Sequence, residues 1–493
     1  MIRLLNKKEL LSRSGLYFLS LCILLASFPV SIAVNSITMG LIFFFFLLDR
    51  DNLKTHFDLY KAERRNLILL VLFGSLLISL IYTQNIHKGI TKIIAFVPII
   101  ALPLAFTKMQ TMPARYLTFL KRLHILVCAL ASLYCLVKAT LASGILDGSY
   151  VGKVAPELYT AYFVHRFSYH ELSRNVSLHA VYFSFFIAFA MVLSVLELKT
   201  AKGKRPVGWV SLLLFFAGML FLLKSVTINF AFYSFLLLYC YITFSFRKPK
   251  HHLVFYIVTV FSSLVVLYQW VLKYVGSFMQ NAYLFDDPVL NRKFLLVPAL
   301  VLLAAVVAVV LKMYFARKHL AVLSFLATLV VLSVLVFIYR GQEKKVYAEN
   351  KKGAGVNNII ARSGNWSGAL LIIKERPLTG VGLGDEINAL TEKYKQINFD
   401  VGVQQQFGAH NQYLEFWISG GIVAFLCFVL LLLNEAGKAV VTRNLALLGL
   451  VYLFSIFCLT ESAMSRQDGK IFFLFFICLL GSHSIKPASP KAD

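Results

Sequence analysis

The chain has 493 residues, 59% of them hydrophobic and 15% charged, with a formal net charge of +26. That apolar share, with a mean hydropathy of +0.75, exceeds the roughly 45–50% of soluble globular chains and excludes a soluble enzyme. The basic excess also fails to mark a nucleic-acid binder, because Lys and Arg gather in short loops between apolar runs, as the positive-inside rule requires.

Apolar runs of about 20 residues cross the roughly 30 Å of bilayer hydrocarbon. In chain order they fall at 15–33, 36–48, 66–82, 89–106, 123–141, 177–198, 209–224, 227–246, 253–273, 294–314, 320–339, 413–433, 444–460 and 469–483. The first follows Arg3, Lys7, Lys8 and Arg13 like a signal peptide, but further apolar runs follow at once, so it reads as a retained span. The fold class is all-α: a polytopic integral membrane protein with about 12–14 transmembrane helices. The lower number holds if the short 36–48 run and the 209–246 hairpin are not separate spans.

The basic short loops at 50–65, 108–122, 199–205, 247–250, 317–318 and 438–443 then share one side with both termini, which makes both termini cytoplasmic. The outward side receives loops at 142–176, 274–293, 340–412 and 461–468. No internal repeat or interdomain linker divides residues 1–483, so they read as one multi-span domain, with a disordered tail at 484–493. The seven cysteines all fall inside apolar runs, without metal-ligand spacing, and read as small core residues.

The 142–176 loop holds Arg166, His170, Glu171 and Arg174, and His179 opens the next helix; the cluster is either loop solvation or part of a site. Lys224-Ser225 is a polar break in the 209–246 hairpin, read as its turn, with a cation that would face a site as the other reading. Asp286-Asp287-Pro288 reads as a turn before proline rather than a metal or acid–base pair. In the long loop, Arg362, Trp366, Leu370 and Ile373 recur at helical spacing until Pro377 stops the helix. That helix, flanked by Lys374 and Arg376, suits a membrane interface. Gly380-Val381-Gly382-Leu383-Gly384-Asp385 lacks the nucleotide-loop spacing and reads as a tight turn, with Asp385 capping a helix from Glu386 to Lys395. His410 and Asn411 stand where the next apolar run begins. That His is either an interfacial hydrogen-bonding group or a general base, since a neutral imidazole takes a proton at physiological pH. Glu461, Arg466 and Gln467 close the last outward loop, as snorkelling charge or as part of the same site.

The ordered set Arg362, Trp366, Ala369, then Pro377, Leu378, Gly380, Val381, Gly382, Gly384, Asp385, then His410, Asn411, Tyr413, Leu414, Gly421 and Ile422 resembles the hallmark of the O-antigen ligase and polymerase superfamily of bacterial envelope glycosyltransferases. His179 and Tyr182 are similar to the family's H-x-x-Y helix start. Glu461 to Phe473 resembles its closing loop and last helix, as in Bacteroidetes-like members. The resemblance covers about residues 160–480, with residues 362–433 carrying its motif region.

The resemblance implies a metal-independent GT-C-type transferase in the inner membrane, needing no cofactor. Its long periplasmic loop, 340–412, contains short amphipathic helices. It implies transfer of a glycan from undecaprenyl diphosphate to an acceptor hydroxyl such as that of lipid A–core, among membrane lipids and without nucleic acid. His410 matches the proposed catalytic base, with Asn411 orienting the ring or the substrate. Arg362 matches a carrier-phosphate ligand, and Arg166, Arg174, His179, Tyr182, Lys224, Glu461, Arg466 and Gln467 complete the substrate-binding set. Two departures stand out. Where the family often places a cation directly after a Ser, this chain has Val226, with Lys224 before Ser225, which shifts phosphate contacts toward Lys224, Arg166 or Arg174. The chain also has about two more helices than the usual twelve. A polymerase or a protein O-oligosaccharyltransferase would use the same donor. A transporter would be expected to carry mid-membrane charges, which these runs largely lack.

Overall fold

The computed structural model describes residues 12–148, 165–176, 178–201, 205–243 and 358–482, with the single positions 151, 162 and 203. The expected spans at 253–273, 294–314 and 320–339, the Asp286-Asp287-Pro288 turn and the tail from Ser484 lie outside them.

The described helices are α1 (Arg13–Ser27), α2 (Ile32–Leu47), α3 (Leu53–Ala62), α4 (Arg64–Ile78), α5 (Ile86–Phe96), α6 (Pro98–Gln110), α7 (Ala114–Ser143) and α8 (Tyr169–Ser173). They continue with α9 (Ala180–Thr200), α10 (Arg205–Leu223), α11 (Val226–Thr243), α12 (Asn358–Glu375), α13 (Glu386–Gln396) and α14 (Asp400–Gln405). The last three are α15 (Gln412–Val441), α16 (Leu445–Phe457) and α17 (Gln467–Ser482). Among the described residues, seven helical stretches are long and apolar enough to cross a membrane, or eight if α2 and the bent segment after it count as one. The protein is an integral membrane protein.

Prolines explain where helices depart from the apolar runs. The first run breaks before Pro29, which cannot continue the ladder, and α2 restarts behind a Ser31 cap. The 89–106 run divides at Val97, with Pro98 opening α6. Residues 50–65, expected as a basic loop, instead hold α3, bent 73° from α2, with His56 and Tyr60 buried. Lys108, expected in the next basic loop, is buried in α6 and lies 3.1 Å from Asp49.

The described chain divides into two compact units. In the first (1–232, 369–389 and 408–493), α9 and α17 are apolar all round and almost wholly buried, as helices without a polar face must be. They meet through aromatic rings, with Phe186 stacked on Phe472 at 4.0 Å, and Phe185 of α9 stacks on Phe457 of α16 at 5.1 Å. All seven cysteines are buried, and none forms a disulfide. In the second unit (Tyr233–Gly368 and Leu390–Phe407), two glycines let α12 approach its neighbours closely. A Cβ on Gly368 would lie 2.6 Å from the Tyr394 ring, and one on Gly364 would lie 2.9 Å from that of Phe399.

Candidate active site

α15 begins in a polar turn that the sequence encodes directly. The Asn411 side-chain oxygen accepts the N–H groups of Tyr413 (3.0 Å) and Leu414 (3.2 Å), satisfying donors that an open helix end would leave bare. Asn411 therefore starts the helix on which the site depends. His410, one residue earlier, has φ 47°, a left-handed conformation that His tolerates better than most side chains. Behind it, Gln412 fastens the loop after α16. Its N–H donates to Cys458 O (2.8 Å), and its side-chain oxygen accepts from Met464 N (2.6 Å) and Ser465 N (3.2 Å).

That loop delivers the partner of His410. Nδ1 of the half-buried His410 lies 3.4 Å from Oε2 of the buried Glu461. Five residues on, the Arg466 guanidinium sits over the Tyr182 ring at 5.7 Å. The Tyr182 hydroxyl is buried without a hydrogen-bond partner among the described residues.

His179 caps α9 through Nδ1, which accepts Val181 N–H at 3.3 Å, and its ring meets that of His170 at 4.1 Å. Burial pushes its pKa down to about 4, helped by His170 and Arg466 and opposed by Glu461. Burial and Arg466 also lower His170. Both imidazoles are thus neutral near pH 7, able to hydrogen-bond without adding positive charge. Arg166 and Arg174 share one carboxylate, Glu171, at 3.6 and 3.7 Å.

The other expected site residues have different surroundings. Gln467 spends its amide nitrogen on Ser36 Oγ (2.9 Å) and Ile32 O (3.4 Å) at the start of α2. Lys224 is exposed, with φ 50°, in the turn between α10 and α11. Arg362 belongs to the second unit, half-buried on the second turn of α12. The glycine segment is a tight turn as expected, and the Asp385 carboxylate at its end also reaches beyond its own helix. Its carboxylate accepts the N–H groups of Gln84 (2.6 Å) and Asn85 (2.9 Å), because the turn is pressed against that corner. Sequence reasoning also missed the Lys92–Glu386 ion pair, in which burial raises the Glu386 carboxyl against the pull of Lys92. Its partners lie 294 residues apart, so no local pattern could signal it.

Residues 297–429 match the family model described as O-antigen ligase, a stretch that includes Arg362, the glycine turn, His410 and Asn411. An "Uncharacterized protein" of Haemophilus influenzae is 30% identical over 148 residues, covering 27% of this chain and 36% of that protein. The aligned part thus spans about a third of the curated relative's length. The motif residues Arg362, His410 and Asn411 thus lie inside the stretch of this chain that is similar to the O-antigen ligase family.

Proposed function

We propose that the protein is an O-antigen ligase-like glycosyltransferase of the bacterial inner membrane, with cytoplasmic termini and a periplasmic active face. It moves a glycan from undecaprenyl diphosphate to a hydroxyl of lipid A–core. The observation that carries this reading is the His410–Glu461 pair, set at the mouth of an apolar helix among His170, His179 and Arg466.

With Nδ1–H of His410 directed at Glu461, Nε2 is the atom that takes the proton of the acceptor hydroxyl. The acceptor oxygen bonds to the anomeric carbon as that carbon's bond to the diphosphate oxygen breaks, with inversion. The bonding pair leaves with undecaprenyl diphosphate, and the proton rests on His410. Charge growing on the leaving diphosphate calls for fixed cations. Arg466 is beside the pair, and Arg166 and Arg174 lie on the neighbouring loop. The roles of Arg362 and Lys224 as phosphate ligands rest on the family resemblance alone. The reading needs neither a metal nor ATP, because the diphosphate linkage already supplies the driving force.

A His410→Ala strain, scored for envelope glycan on a gel with protein level checked by blot, tests this. Loss of high-molecular-weight bands from lipid A–core, with carrier-linked polymer accumulating, supports ligation. A single repeat left on the core points to the polymerase instead. Unchanged glycan at normal expression removes His410 from the mechanism.

A further inference from the structure

We propose that Glu415 is the positioning residue of the His410–Glu461 pair; the proposal rests on the functional reading above. The two members of the pair come from segments 51 residues apart. One oxygen atom, Oε2 of Glu415, touches both segments. It accepts the N–H of Ala409 at 3.3 Å and the hydroxyl of Ser462 at 3.3 Å. Ala409 is the residue before His410, and Ser462 is the residue after Glu461. A displacement of either arm therefore breaks a bond to the same atom.

Gln412, three residues earlier on the same turn, holds only the 458–465 loop. Glu415 holds both arms, and it does so from the interior. Glu415 is 7% exposed and Ala409 is fully buried, so water does not substitute for the bond to Ala409. A carboxylate is costly in such a place unless its bonds compensate, and charge-assisted acceptors make the strongest ones. The first turn of α15 thus works as a template: Asn411 starts it, Gln412 draws in the far loop, and Glu415 sets the spacing of the reacting pair. Misplacing a catalytic group by about 1 Å is enough to cost on the order of 100-fold in rate.

The test uses the full-length protein in detergent micelles, with undecaprenyl-diphosphate-linked glycan as donor and lipid A–core as acceptor, both extracted from the producing bacterium. The readout is release of undecaprenyl diphosphate. For Glu415→Ala, kcat is expected to fall about 10- to 100-fold with the donor KM unchanged, because the interaction lost acts on the transition state. Glu415→Gln keeps an oxygen that accepts the same two bonds and is expected to recover most of the rate. Glu415→Ala with wild-type kcat, beside an inactive His410→Ala, overturns the proposal. Glu415→Ala and Glu415→Gln equally inactive also overturns it, since the charge and not the positioning would then matter. An active His410→Ala instead overturns the functional reading beneath it. If Glu415→Ala does not fold, Ser462→Ala removes one of the two bonds at a half-buried position. A several-fold lower kcat at unchanged KM is then expected, and an unchanged kcat overturns the proposal.

Discussion

Ile422 donates its backbone N–H to the carbonyl of Leu378 at 3.2 Å, across a break in the middle of α15. The break is at Gly421, whose φ of 71° and ψ of −166° lie in a region open essentially to glycine alone. In return, Val381 donates to Ile418 O at 2.8 Å and the Trp417 indole donates to Pro377 O at 2.8 Å. The glycine turn thus supplies the hydrogen-bond partners that an interrupted membrane helix would otherwise lack. A Cβ on Gly421 would collide with the Leu378 carbonyl. Gly421→Ala is therefore expected to destabilise the protein by at least about 1–3 kcal/mol. Gly437, in the same helix with open space around its Cα, is the control. Gly437→Ala is expected to be neutral or to stabilise by up to about 1 kcal/mol. Thermal unfolding of both variants in the same detergent checks the contrast.

Asp385 anchors the other side of that turn through the amides of Gln84 and Asn85. Bonds to a charged acceptor contribute about 1.5–3 kcal/mol each where water is excluded, and less at the exposed Gln84. Asp385→Asn keeps one acceptor oxygen and is expected to cost about half as much as Asp385→Ala. Amide hydrogen exchange should locate the change: protection at residues 84 and 85 falls in both variants, and more in the alanine. Unchanged protection would mean the carboxylate does not hold the corner.

The sequence reveals the parts of this structure that repeat locally. The apolar runs within the described residues fall on helices, and a His-Asn pair before an apolar run marked the start of α15, while the breaks at Pro29 and Pro98 went unread inside runs taken as continuous. Contacts between distant segments were not legible. Glu461 reads as snorkelling charge or as part of the site, and only folding sets it against His410; the bonds of Asp385 to Gln84 and Asn85, some 300 residues away, leave no local signal. The short basic loops misled most. Lys108 and Lys438 look like positive-inside markers, yet they pair with Asp49 and Glu63. Part of the family resemblance was legible because Asn411, Tyr413 and Leu414 form the α15 cap within four residues, and Gly421 marks its break.

Arg65 extends the same theme into the interior. Its guanidinium lies 3.3 Å from Glu435 and donates to Ile477 O at 2.7 Å, with both side chains 2% exposed or less. The pair joins α4, α15 and α17. Breaking a buried pair strands a charge and costs about 3–5 kcal/mol, while replacing both partners by apolar groups is often neutral. Arg65→Leu is expected to lose several kcal/mol or fail to accumulate, and Arg65→Leu with Glu435→Leu is expected to recover most of the loss. Thermal midpoints of the single and double variants decide it. A double variant no better than the single would show that the bond to Ile477 O, and not the ion pair, holds the helices.

The neutral His179 gives the protein a defined acid sensitivity. Its folded-state pKa is held near 4 by burial and by neighbouring His170 and Arg466, below the ordinary value of 6.5. Between those values an unfolded chain binds a proton that the folded chain refuses, so stability falls as the pH falls. The contribution is fully present above pH 6.5 and is lost as the pH drops toward 4. Protonation would also remove the Nδ1 lone pair that accepts Val181 N–H, opening the cap of α9. His179→Asn keeps a capping oxygen but does not titrate. Thermal midpoints measured from pH 7.5 to 4.5 are expected to fall more steeply for the native protein than for His179→Asn. Parallel curves would show that other groups set the acid limb.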